Sequence, residues 1–304
     1  MRVDPFYVTN LVGSLDQAQA SVQQLTSELS SGVSVTSLSQ NPVASGENVL
    51  LLNQIQQDDS FTTSSSLVTG QLQVADSALG SVVTQLTSAI SLATSANNGT
   101  MNSSNVKSVS TQISGILDEV ESLANTSYQG QYIFAGGQTS TAPFSTSTGT
   151  SPAVTTYNGD QDVNYLETPS GQKIQLNVSG SQIFMGTGSN SVFGALNSLV
   201  ADYSSGTVDT AQAVSDTEAL SAALNNVSQQ RVTIDNSITQ VTAASDAVTN
   251  VETQLTTAQT NLMQADIPTV STQLSLSETQ QTALEDVIAQ LNSSSNDLFS
   301  KLPA

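Results

Sequence analysis

The chain has 304 residues, room for one large domain or two to three small ones. Only 10% of them are charged, against roughly 25% in an ordinary domain, and five basic residues leave a net charge of −20. Nucleic acids and anionic membranes need clustered Lys and Arg, so the balance argues against both as partners. Cys, His and Trp are absent. Disulfides and thiolate sites are thereby excluded. The usual general base and commonest metal ligand are missing, and no nucleophile motif stands in for them. We therefore expect no enzyme activity, no cofactor and no metal.

Met1-Arg2-Val3-Asp4-Pro5 opens without an apolar run of signal-peptide length, and no window of about 18 apolar residues follows. Export, if it occurs, is expected to use a route without a cleaved signal. The first helix is expected over 5–31. Its apolar residues Leu11, Leu15, Ala18, Val22, Leu25 and Leu29 alternate steps of four and three, the spacing of a coiled-coil seam. Gly32 is a stop, and 33–41 reads as extended or loop. Asn41-Pro42 then starts a helix, with Asn as the cap and Pro at the first helical position.

From Pro42 to Asn97 no Pro or strong turn pair intervenes, so one long helix is expected. Its second half carries a heptad at Leu72, Ala75, Leu79, Val82, Leu86, Ala89 and Ala93. Asn98-Gly99-Thr100 ends it as a turn. A third helix is expected over 104–126, with Val106, Val109, Ile113, Ile116, Val120 and Leu123 on its face. Asp118, Glu119 and Glu121 on that helix read as a solvated face rather than a metal site.

The texture changes after Gly130. Short β-type runs at 132–134, 154–157, 163–166 and 174–178 are separated by Gly, Pro, Asn and Asp, which predicts a small antiparallel unit. Its core is expected to be the aromatic residues between Tyr128 and Phe184. The stretch 145–151 is low-complexity and reads as a mobile loop.

Helical patterning returns over 192–203 and then 210–265. The second of these has Leu220, Leu224, Val227, Arg231, Ile234, Ile238 and Val241 on one stripe. Arg231 in that stripe either snorkels to the edge or pairs with Asp76, Asp118 or Glu119. Asp266-Ile267-Pro268 interrupts the pattern and starts a last helix. Ile267, Val270, Leu274, Leu284, Ile288, Leu291, Leu298 and Leu302 form its seam, with Ser277, Gln281 and Ser295 at the polar gaps. A stripe that narrow needs a partner helix. The N-terminal seam is the best candidate, in the same chain or in copies of it. A two-helix seam with those gaps is weak, so both ends are expected to stay unformed in the free subunit and fold on assembly.

The fold class expected is mainly α with a β insertion. Long antiparallel helices form a rod at 41–140 and 187–266. Paired terminal coiled-coil helices occupy 1–40 and 267–304, and a small outer β domain occupies 141–186.

Several motifs carry a resemblance. They are Leu29-Ser30-Ser31-Gly32, Asn41-Pro42-Val43-Ala44 and Asn98-Gly99-Thr100, then Leu123-Ala124-Asn125-Thr126 followed by Gly130-Gln131-Tyr132-Ile133-Phe134-Ala135-Gly136. Phe144, Tyr157-Asn158-Gly159-Asp160 and Ala265-Asp266-Ile267 extend it. In this order the chain resembles the bacterial flagellar axial proteins, which include flagellin and the hook–filament junction proteins. The 130–136 segment is nearer to junction proteins of the hook-associated protein 3 type. Asn41 stands where those proteins carry an acidic residue, and 101–107 lack the acidic and Arg residues common there.

The resemblance implies a flagellin-like fold and a structural subunit of the extracellular flagellum, seated at the hook–filament junction. It implies as partners a ring of its own copies, the preceding hook-associated junction protein, and flagellin. It also implies type III export and a cytosolic export chaperone on the C-terminal helix. A short flagellin, or a secreted adhesin that binds through the β unit, are the alternatives.

Overall fold

The computed structural model describes residues 5–35, 41–147, 153–186 and 191–300. Six α-helices account for most of them: α1 (Pro5–Ser31), α2 (Pro42–Asn97), α3 (Ser103–Ala124), α4 (Val192–Ser204), α5 (Thr210–Met263) and α6 (Ile267–Ser300). Their starts follow from local chemistry. The Asn41 side chain accepts from the Ala44 amide at 3.1 Å, and Pro42 takes the first helical position. Asn102 caps α3 through the Asn105 amide, and Ser191 caps α4 through the Gly194 amide. Asp209 accepts from the Ala211 and Gln212 amides ahead of α5.

The chain forms two compact units. One comprises 1–56 with 251–304, and the other 57–250.

In the 57–250 unit, four helices share one core. Leu79, Val82, Leu86, Ala89 and Ala93 of α2 are 0% exposed, as are Ile113 and Val120 of α3, Leu196 and Leu199 of α4, and Leu220 and Val227 of α5. Helices α2 and α5 run antiparallel, since Asp76 meets Arg231 whereas Asn97 further along meets Thr217. The expected stripes need two adjustments. Leu117 and Ala124 of α3 are buried, while Ile116 and Leu123 are half-buried. On α5, Ala223 and Ser237 are buried rather than Leu224 and Ile238. At Ala124, Ala223 and Ser237 small side chains let helix backbones approach, so they take the centre of the seam and push larger neighbours to its edges.

Among the described residues the strands form three separate two-stranded antiparallel ribbons. The first pairs β1 (Ser127–Tyr128) with β2 (Gln131–Tyr132), the second β3 (Phe144–Ser147) with β4 (Val154–Tyr157), and the third β5 (Tyr165–Glu167) with β6 (Lys173–Gln175). The expected loop at 145–151 is thus partly strand. Its Ser and Thr pair across the ribbon, Thr146 with Thr155 at 2.7 Å and Ser145 with Thr156 at 3.1 Å. Residues 148–151 of that expectation lie outside the described residues. The run at 132–134 is strand only at Tyr132; Ile133 and Phe134 turn into the core and are buried. A π-helical turn, Ser181–Met185, follows the third ribbon. Asn226 of α5 holds it by donating to the Gln182 and Ile183 carbonyls.

Aromatic rings join the ribbons to the helices. Phe144 packs on Tyr157, Phe184 and Phe193 with centroids 5.0–5.2 Å apart, and Phe134 meets Phe184 edge-on at 5.6 Å. These rings belong to the same core as the four helices.

Candidate assembly surface

The two seams expected from heptad spacing lie together in the 1–56 and 251–304 unit. Helices α1 and α6 pack along their lengths, and they run antiparallel because the end of α1 sits beside the start of α6. Three hydrogen bonds cross that joint. The Gly32 amide closes α1 by donating to the Glu28 carbonyl at 2.9 Å, and the Gly32 carbonyl accepts from the Ala265 amide at 2.9 Å. The Ser34 amide and hydroxyl both donate to the Met263 carbonyl. Val33 and Gln264 complete a short antiparallel bridge. Gly32 has φ of +70°, which an L side chain rarely adopts.

Along the seam, burial follows the heptad. Leu11, Leu15, Val22, Leu25 and Leu29 of α1 are half-buried, and Ala18 is buried. On α6, Val270 is buried, and Leu274, Ser277, Gln281, Leu284, Ile288 and Leu291 are half-buried in the expected order. Ile267 is 41% exposed. The Leu298 side chain and Leu302 lie outside the described residues. Glu28 is buried in this pair, held by Gln24 at 2.9 Å.

One observation sets this pair apart from the four-helix core. There, large side chains reach 0% exposure; here, among described positions, no Leu or Ile does. Two helices cover only one side of each other, so each apolar stripe keeps an open flank. Further apolar residues stand outside the seam altogether. On α6 they are Leu276 at 69% and Val287 at 42% exposure; on α2 they are Val43 at 71% and Leu50 at 70%. Sequence reasoning overlooked them because they fall off the heptad. The signal was there in Leu50-Leu51-Leu52, an apolar run that one helix face cannot hide.

The motif residues occupy distinct places. Asn41 and Pro42 begin α2, and Asn98, Gly99 and Thr100 form the exposed turn after it. Tyr132 pairs with Ser127, while Ile133 and Phe134 enter the core. Gly136 has φ of +70° with Asp160 packed where a Cβ would stand. The Asp160 carboxylate accepts from the Gly137 amide at 2.6 Å, and Tyr157 donates its hydroxyl to the Phe134 and Asp160 carbonyls. Tyr132, Ile133, Phe134 and Gly136 fix the turn from α3 into the ribbons and lie apart from the α1–α6 seam.

Of the partners expected for Arg231, the structure selects Asp76. The guanidinium donates from Nε at 2.7 Å and from a terminal nitrogen at 3.1 Å, a bidentate pair. Asp76 raises the Arg231 pKa further. Asp118 and Glu119 are exposed instead. Among the described residues no group of three or more Asp or Glu is placed to hold a metal ion, and no helix is long and apolar enough to cross a membrane.

Residues 8–139 match the bacterial flagellin N-terminal helical region. The chain is 30% identical over 187 residues to flagellar hook-associated protein 3 of Salmonella typhimurium, and 29% identical over 187 residues to that of Escherichia coli K12. The aligned stretch is 61% of this chain and spans 57% of each relative.

Two solved structures share its fold. One, assigned as a flagellar hook-associated protein of Vibrio parahaemolyticus, has a TM-score of 0.68 and 19% identity, covering 74% of this chain and 100% of that one. The other, flagellar hook-associated protein 3 of Legionella pneumophila, has a TM-score of 0.61 and 13% identity, covering 70% and 98%.

Proposed function

We propose that the chain is a structural subunit of the bacterial flagellum that joins hook to filament, and that α1 and α6 are its assembly elements. The observation that carries this reading is the pair of half-covered heptad stripes at the two ends of a chain similar to hook-associated protein 3. An apolar stripe with an open flank gains most by packing against further helices, and copies of α1 and α6 carry the matching pattern. Helices α2 to α5 share a core that is complete without partners.

The partners under this reading are a ring of identical copies, the preceding hook-associated junction protein, and flagellin. An export chaperone in the cytosol covers α6 before passage through the flagellar type III apparatus. The working location is the extracellular hook–filament junction. The terminal helices, the helical rod and the ribbons at 141–186 serve as assembly, spacer and outer surface respectively. No chemistry at a site is required, in keeping with a chain that lacks His and Cys.

Deletion of the gene tests the reading. A junction subunit gives cells with hooks, no filaments, and flagellin monomers shed into the medium; normal filaments in the deletion strain refute it. A short flagellin is the second reading, favoured by the match of 8–139 to the flagellin N-terminal region. Abundance in sheared filaments separates the two, because a filament subunit dominates that material and a junction subunit is a trace component.

A further inference from the structure

Unit 57–250 contains a feature that assembly does not call on. At the end of α4, Asp202 faces Asp216 of α5, and the two carboxyls stand within hydrogen-bonding reach. One oxygen of each, Oδ2 in both cases, is buried with no donor. Two carboxylates have no proton to offer each other, so as ions they leave both buried oxygens unpaired and add mutual repulsion. A single proton between them removes both penalties.

The surroundings favour that proton. Asp216 is 9% exposed, and its other oxygen accepts from Gln212 at 3.1 Å. Asp209, capping α5, adds a third negative charge to the field at Asp202. Tyr203, buried beside the pair, donates to Asn97 of α2 at 2.8 Å, so it offers the carboxyls no hydrogen. From α3, Lys107 lies against Gly206 in the connection between α4 and α5, and it makes no ion pair with either carboxylate.

We propose that Asp202 carries a proton and donates it in a hydrogen bond to the Asp216 carboxyl, and that this bond is a pH-sensitive latch between α4 and α5. Burial, then the contact with Asp216, then the charges of Asp216 and Asp209, push Asp202 from 3.8 up to about 6. Burial, then the charge of Asp202 and less strongly that of Asp216, lifts Tyr203 to about 12. The sign follows from linkage. A carboxyl raised in the folded state stabilises it fully below the unfolded value, and the contribution fades as pH rises through about 6. At neutral pH the latch is ionised and this end of the unit loosens; in mildly acidic surroundings it closes.

Carboxyl-carbon NMR on the full chain with labelled Asp reads the pair directly, with Asp202→Asn assigning the signal. An Asp202 midpoint near 6 that collapses in Asp216→Asn supports the latch. A midpoint at the ordinary carboxylate value in the wild-type chain overturns it. Thermal melts at about pH 5 and about pH 7.5 supply the second readout. The wild type should lose melting temperature across that window, whereas Asp202→Asn, which keeps a hydrogen donor without a charge, should not. Equal losses in both chains overturn the latch. So does a rise in wild-type melting temperature at pH 7.5 on adding calcium alone, if Asp202→Asn shows none, since the pair would then hold a cation.

Discussion

The amide of Ala265 donates to the carbonyl of Gly32 at 2.9 Å, tying the exit of α1 to the entrance of α6. The Ser34 and Met263 bond beside it makes the tie two-pronged. These bonds lock the register in which two narrow apolar stripes meet. Slipping either helix by one residue would rotate its leucines out of the seam.

Gly32 is the weak point of that joint. At φ of +70° an alanine is strained, so Gly32→Ala should destabilise the terminal unit by about 1 kcal/mol. Denaturant melts followed by amide exchange, read separately for 9–31 and 267–291 and for 57–250, check this. The loss should fall on the terminal unit alone.

The two units should also differ in their response to cavities. Ile113 is 0% exposed in the four-helix core, and Ile113→Ala should cost about 2–5 kcal/mol. Leu284, half-buried on α6, has little packing to lose in the free chain. Leu284→Ala should cost less than about 1.5 kcal/mol there, because an exposed flank leaves less transfer energy to forfeit. Chemical denaturation of both variants decides the comparison.

Arg231 and Asp76 are 34% and 24% exposed, so solvent screens their bidentate pair. Arg231→Met should change stability by under about 1 kcal/mol. If the pair sets register between α2 and α5, the variant should still assemble less faithfully, seen as irregular junctions by electron microscopy. Unchanged assembly together with a small stability change would leave Arg231 without a registry role.

Gly136 has no room for a Cβ beside Asp160. Gly136→Ala should open the turn that seats Ile133 and Phe134, lowering stability by about 1–3 kcal/mol. Tyr157 fluorescence, reporting on its hydroxyl contacts to Phe134 and Asp160, follows that opening.

The helices were legible because their signals are local and repeat. Asn41-Pro42 sets a start, Gly32 a stop, and a heptad such as Leu72 to Ala93 a buried stripe. The ribbons were less so. Phe144–Ser147 reads as low complexity, yet Thr146 and Thr155 stabilise each other only once the strands are side by side. Cross-strand partners are invisible in a linear reading. The Asp202–Asp216 contact was missed for the same reason: fourteen positions apart on different helices, the two acids meet only in the folded core. The choice of Asp76 for Arg231 also needed the antiparallel register of α2 and α5.

Amide exchange on the free subunit should show weak protection over 270–291 and strong protection over 72–93 and 220–241. Assembly should raise the first to the level of the others. Equally strong protection of 270–291 before assembly would mean that α1 covers α6 without help.

If the open flank of α6 builds the junction, charging that flank should abolish it. The most direct test is complementation of the deletion strain with the double variant Leu284→Asp, Ile288→Asp. The variant subunit should be made and exported, its 57–250 unit should melt as in the wild type, and filaments should be missing from the hooks. Filaments of normal number and length on cells carrying that variant would contradict that role of α6.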